Sequence, residues 1–242
     1  MPVISETGHA KNVANFEDLI SFCTAYGAAD NPVNPSLQLA GLNTLFTNAN
    51  AALQDVRSKK ISFDNATSLR QEAFKDLKAL ATRVVNALAV SGVSKPVLAD
   101  AKTINRKIQG GKRKPLPPPN PGEPTPVQIS NSRQSYDSLI DNFALIIQLV
   151  SQQPSYAPNE AALQVTGLNT KLNALQAANT SVANAYTEFS NAQLQRQQVL
   201  YAPVTGLVPI AVLCKMYIKS LFGGNSPQYR QVSPLEFKTV KK

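Results

Sequence analysis

Apolar positions recur along this chain with a helical period. Phe16, Leu19, Ile20 and Cys23 fall at i, i+3, i+4 and i+7, the spacing that lines one face of an α-helix. Leu37, Leu39, Leu42, Leu45, Phe46 and Leu53 predict a second helix starting near Pro35, a residue suited to a first helical position. Asp64 or Asn65 is placed to cap a third, along which Leu69, Phe74, Leu77, Leu80, Val84, Val85 and Leu88 make a continuous apolar stripe. Gly92 ends that stripe, and Lys95-Pro96 opens a fourth segment carrying Val97, Leu98, Ala101, Ile104 and Ile108. Further on, Leu139, Ile140, Phe143, Ile146, Ile147 and Val150 predict another helix, and Pro203 with Pro209 predicts a break in a later one. No alternating run of β-branched residues points to a strand.

The pattern is also duplicated. Gly41-Leu42-Asn43-Thr44 returns as Gly167-Leu168-Asn169-Thr170, an offset of 126 residues, and residues 37–71 match 163–197 without a gap at 14 of 35 positions. Among the matched pairs are Val56/Val182, Phe63/Phe189, Ala66/Ala192 and Arg70/Arg196. Chance could give a tetrapeptide, but not the rest in register. Upstream, Phe16-Glu17-Asp18-Leu19-Ile20 resembles Tyr136-Asp137-Ser138-Leu139-Ile140, and with a gap Pro96 aligns with Pro227 and Lys107 with Lys238.

Between the copies, residues 110–127 hold seven of the chain's seventeen prolines. Such a stretch cannot join a helix and favours extended polyproline II, a semi-rigid spacer. The expected fold is therefore all-α, two tandemly duplicated, roughly four-helix antiparallel bundles: copy one over 1–110, a Pro-rich linker over 111–127 and copy two over 128–242.

Composition narrows the chemistry. With 242 residues and 43% hydrophobic side chains, a packed core is expected. Residues 1–10 are mixed and polar, with Glu6 and Gly8 where a signal peptide needs an apolar core, so no secretory leader is expected. The longest uncharged apolar run, 199–214, is interrupted by Pro203, Gly206 and Pro209 and is shorter than the roughly 20 residues of a membrane span. Its copy-one counterpart carries Lys75, Asp76, Lys78 and Arg83, so it is expected to be a buried bundle helix. Two cysteines cannot build a disulfide framework, and unpaired thiols agree with a reducing, cytoplasmic setting.

One histidine, His9, excludes any site built on two imidazoles, and its polar neighbourhood predicts a solvated or capping role. Cys23 and Cys214 occupy non-equivalent repeat positions on apolar faces and read as small core residues. The acids are scattered, no paired glutamates have di-iron spacing, and no glycine loop could cradle a phosphate. No catalytic residue, cofactor or metal is expected. The repeated Gly-Leu-Asn-Thr and the Arg70/Arg196 pair read as packing residues common to both copies.

The segments 8–17, 82–88 and 106–110, together with the tandem organisation, resemble uncharacterised bacterial hypothetical proteins of tandem all-helical build. The resemblance implies the architecture and carries no activity.

Two features point outward. Lys102, Arg106, Lys107, Lys112, Arg113 and Lys114 form a basic run without an acid, on a chain of net charge +9, and could neutralise phosphates without reading sequence. Twenty Asn and seventeen Gln make helix surface that is polar yet weakly charged, as at Gln193, Gln195 and Gln198, and such amides are cheaper to bury against a partner than ions. The expected function is a non-enzymatic structural or interaction protein presenting helical surfaces to a protein partner or to itself. The first alternative is non-specific nucleic-acid binding through the basic segments. A lesser one is a small-molecule or enzyme site between the bundles.

Overall fold

A computed structural model describes residues 7–110 and 134–240. Among these residues there is no strand, and eight α-helices account for most of the chain: α1 (Thr7–Tyr26), α2 (Leu39–Phe74), α3 (Leu77–Val90), α4 (Lys95–Gln109), α5 (Tyr136–Ser151), α6 (Val165–Tyr201), α7 (Leu207–Phe222) and α8 (Pro227–Val232). Most positions of the expected helical faces are buried or half-buried, but Leu69, expected at the head of the third helix's apolar stripe, is 69% exposed on α2. Phe16, Leu19, Ile20 and Cys23 line the inner side of α1, and Leu139, Ile140, Phe143, Ile146, Ile147 and Val150 that of α5. The Pro-rich segment 111–127 lies outside the described residues.

One expected break is missing. Asp64 and Asn65 cap nothing: α2 runs through them for 36 residues, and α6 runs for 37 through the corresponding stretch. The physical reason is visible in the sequence. After Gly41 no glycine or proline interrupts α2, and its serines and threonines return their hydroxyls to the carbonyl one turn back, as in Ser62 to Ser58 and Ser68 to Asp64. The break falls at Lys75-Asp76 instead. In the second half it falls at residues 202–206, where Pro203 lies between helices and Pro209 occupies the first turn of α7, whose N–H groups lack helical partners anyway. The apolar run 199–214 is thus the end of α6, a turn and half of α7, not one buried helix. Among the described residues no helix is long and apolar enough to cross a membrane.

Continuous α2 and α6 change the division of the chain. The compact units are Met1–Phe63 with Ala185–Lys242, and Asp64–Asn184. This differs from the expected succession of one bundle over 1–110 and another over 128–242, because each boundary lies inside a long helix.

In the first unit α1 packs on α7 and α8, around Phe16, Leu19, Leu42, Leu53, Leu207 and Ile218. The segment after α8 lies along α1. Asn12 pairs with both backbone groups of Lys238, donating to its carbonyl at 2.8 Å and accepting from its N–H at 3.1 Å, and Asn15 donates to the Glu236 carbonyl. In the second unit α5 packs on α4 and α3 around Leu77, Leu88, Ile108, Phe143, Leu168 and Leu175. Each such side chain withdraws apolar surface worth roughly 1.5–3 kcal/mol. Leu42, Ala49 and Val56 are buried, and so are Leu168, Leu175 and Val182, 126 residues on.

The repeated tetrapeptide has a local job in both units. A Cβ on Gly41 would collide with the backbone carbonyl of Pro35, and one on Gly167 with that of Ala161, each six residues earlier. Asn43 donates to the Leu39 carbonyl, and Thr44 and Thr170 donate to those of Ala40 and Thr166. Gly41→Ala and Gly167→Ala are each expected to cost about 1–3 kcal/mol by overpacking against fixed backbone, although alanine is ordinarily the better helix former. Urea unfolding followed by circular dichroism measures this, and an unchanged midpoint would show that the preceding turn yields.

Candidate functional site

The basic run is only partly placed. Lys102 and Arg106 are exposed one turn apart on α4, Lys107 is half-buried, and Lys112, Arg113 and Lys114 lie outside the described residues. Arg106 and Lys107 occupy the last turn of α4, where cations favour the negative end of the helix dipole. The structure thus gives these charges a helix-stabilising role beside any phosphate contact. Lys238, in the C-terminal tail, pairs with Glu236 at 2.7 Å.

The amide surface is where the periodicity put it. Gln195 and Gln198 are exposed on α6, Gln193 is half-buried, and Leu194 beside them is 53% exposed. Other amides fasten segments together near the surface. Gln134 donates to the Lys107 carbonyl and Gln109 to that of Lys78, while Asn179 joins Arg70 to Asp137. Arg70 also lies 4.1 Å from the Tyr136 ring centre, so it ties α2 to α5 and α6. Its repeat partner Arg196 is 2% exposed.

Sequence reasoning missed the outer face of α7. Alongside its buried face, α7 exposes Val212 (45%), Leu213 (37%), Met216 (61%) and Leu221 (41%). Aligning the first residues of α3 and α7 puts these opposite Thr82, Arg83, Asn86 and Ser91, all polar. The two lysines of α7 are occupied within the unit. Lys215 donates to the carbonyls of Ser233 and Leu235, and Lys219 lies 5.5 Å from the Tyr229 ring centre. Burial lowers the Lys215 pKa from the ordinary lysine value. The run 199–214 reads as core from the sequence, yet Val212 and Leu213 within it are exposed, and Met216 and Leu221 lie beyond its end.

Two further clusters also emerged only on folding. His9 is 1% exposed rather than solvated, with Nδ1 2.7 Å from the Tyr201 hydroxyl, to which Asn12 donates at 3.1 Å. Cys23 on α1 and Cys214 on α7 meet with their sulfurs 3.6 Å apart. Their core placement was expected and their meeting was not, so two unpaired-looking thiols no longer speak for a reducing compartment.

In the second unit an open groove of about 580 Å³ is lined by Arg83, Asn86, Val90, Ser155, Asn159 and Glu160. It offers one cation, one carboxylate, amides and hydroxyls, with no base placed to activate a nucleophile. Among the described residues no group of three His, Cys, Asp or Glu side chains could hold a metal ion.

Tyr201→Phe keeps the ring and removes the hydroxyl that His9 and Asn12 share. The loss should destabilise the protein by about 1–3 kcal/mol, because buried polar atoms lose a partner. Urea unfolding near neutral pH checks it, and a neutral result would mean that water or another group takes over. Comparison of the chain with protein-family models, with curated proteins and with solved structures found no match.

Proposed function

We propose that this is a non-enzymatic structural or interaction protein, a tandem duplication that presents helical surfaces to a protein partner or to further copies of itself. What supports the duplication is the matched burial of positions 126 apart and the shared glycine contact. In this reading the two copies, joined by the Pro-rich segment 111–127, have exchanged halves, so that each compact unit joins the first part of one copy to the second part of the other.

The single observation that carries the functional reading is the outer face of α7. A surface that is apolar at Val212, Leu213 and Met216, while the α3 counterparts Thr82, Arg83 and Asn86 are polar, is not explained by folding alone. Exposed apolar patches on a monomer mark contact sites. The lightly charged face of α6 at Leu194, Gln195 and Gln198 adds a surface that can be dehydrated at modest cost.

Leu213→Glu with Met216→Glu should abolish association while changing stability by only about 1 kcal/mol, as expected for exposed positions. Gln195→Glu with Gln198→Glu tests the α6 surface in the same assay. The measurements are light scattering and affinity capture from the native organism, with a thermal melt for each variant. A strictly monomeric wild type with no captured partner overturns the proposal, as does unchanged association in both double variants.

The alternative, non-specific nucleic-acid binding, is favoured by Lys102 and Arg106 standing exposed on one side of α4. It requires duplex DNA binding that weakens steeply with salt, is insensitive to sequence and disappears when Arg106, Lys107, Lys112, Arg113 and Lys114 become Gln. Absence of binding at about 50 mM salt, where phosphate contacts are strong, removes this alternative.

A further inference from the structure

We infer that Cys23 and Cys214 form a redox modification site, closing to an intramolecular disulfide that ties α1 to α7. They are the only cysteines of the chain, stand 191 positions apart in sequence, and are brought to an Sγ–Sγ distance of 3.6 Å within one compact unit. A disulfide needs about 2.05 Å, so the sulfurs have to approach by about 1.5 Å.

Packing alone does not call for sulfur here. Matching α5 to α1 through Tyr136 and Phe16, and α3 to α7 through their first residues, places Phe143 opposite Cys23 and Val84 opposite Cys214. Both are fully buried hydrocarbon side chains in the second unit. The same kind of core position is thus filled by hydrocarbon in one unit and by two touching thiols in the other.

The surroundings set the kind of chemistry. The hydrogen bond with Cys214, followed by burial, holds the Cys23 thiol protonated, far above the ordinary thiol range, and the Asp30 carboxyl adds to this. The pair is therefore no fast peroxide sensor, since the thiolate is the nucleophile. Reaction needs a local opening, and Cys23 stands one turn from the end of α1, before the exposed turn Gly27–Ala29. With hydrogen peroxide as oxidant, one sulfur attacks a peroxide oxygen, the O–O bond breaks and a sulfenic acid forms as the first water leaves. The second sulfur then displaces the sulfenic hydroxyl, the S–S bond forms and a second water leaves. Two thiol protons and two electrons pass to the hydrogen peroxide. The bond closes a loop of nearly the whole chain, the case in which a cross-link most restricts the unfolded state.

The test treats the full-length protein with hydrogen peroxide under native conditions and follows intact mass and thiol alkylation after denaturation. Expected are a monomer lighter by two hydrogens, both thiols blocked, recovery with dithiothreitol, and a melting midpoint raised by several degrees. Cys214→Val and Cys23→Ala, which keep the core apolar, should show neither the mass loss nor the reversible shift in melting. Separate sulfinic acids on the two sulfurs, a disulfide between two chains, or a disulfide that forms only after unfolding in urea would each overturn the inference.

Discussion

Everything in this fold depends on two helices that do not stop. Typical helices span about 11–12 residues, whereas α2 and α6 run three times as far because nothing in their interiors breaks them. Each passes through a unit boundary. The buried positions of α2 divide between two cores, Leu42, Ala49 and Leu53 in the first unit and Phe74 in the second. The first unit is accordingly completed by α7, α8 and the C-terminal segment, and the second by α3, α4 and α5.

Polar side chains then decide how segments distant in sequence are held. Asn12 satisfies both backbone groups of Lys238, and Gln134 satisfies the carbonyl of Lys107 at the end of α4. Lys171 donates to the Ala73 carbonyl at the end of α2. Part-buried backbone groups gain from being paired, and Asn12 pairs those of Lys238 without the desolvation cost of a charge. The abundance of Asn and Gln that suggested contact surface is therefore shared between internal fastening and the exposed face at Gln195 and Gln198.

Positions that the sequence repeat pairs but that carry different residues are the most informative ones. Those that stayed alike, such as Leu42 and Leu168 or Gly41 and Gly167, satisfy the same local geometry in both units. Others differ: Met216 against Asn86 on an exposed face, Cys23 against Phe143 and Cys214 against Val84 in the cores. The first contrast leads to a contact surface and the second to a thiol pair.

The sequence alone determined the helical class, the buried faces of α1, α3, α4 and α5, the breaks at Gly92 and Pro203, and the packing role of the repeated tetrapeptide. These follow from periodicity and from residues whose backbone limits act locally. Tertiary structure alone decided that Asp64-Asn65 does not cap a helix, that His9 is buried against Tyr201, and that Cys23 touches Cys214. It also decided which side of α7 stays exposed. A cap residue competes with helix continuation, and the winner is set by packing on both sides of it. A thiol pair or a buried imidazole depends on which remote segment completes the unit, and no spacing along the chain carries that information.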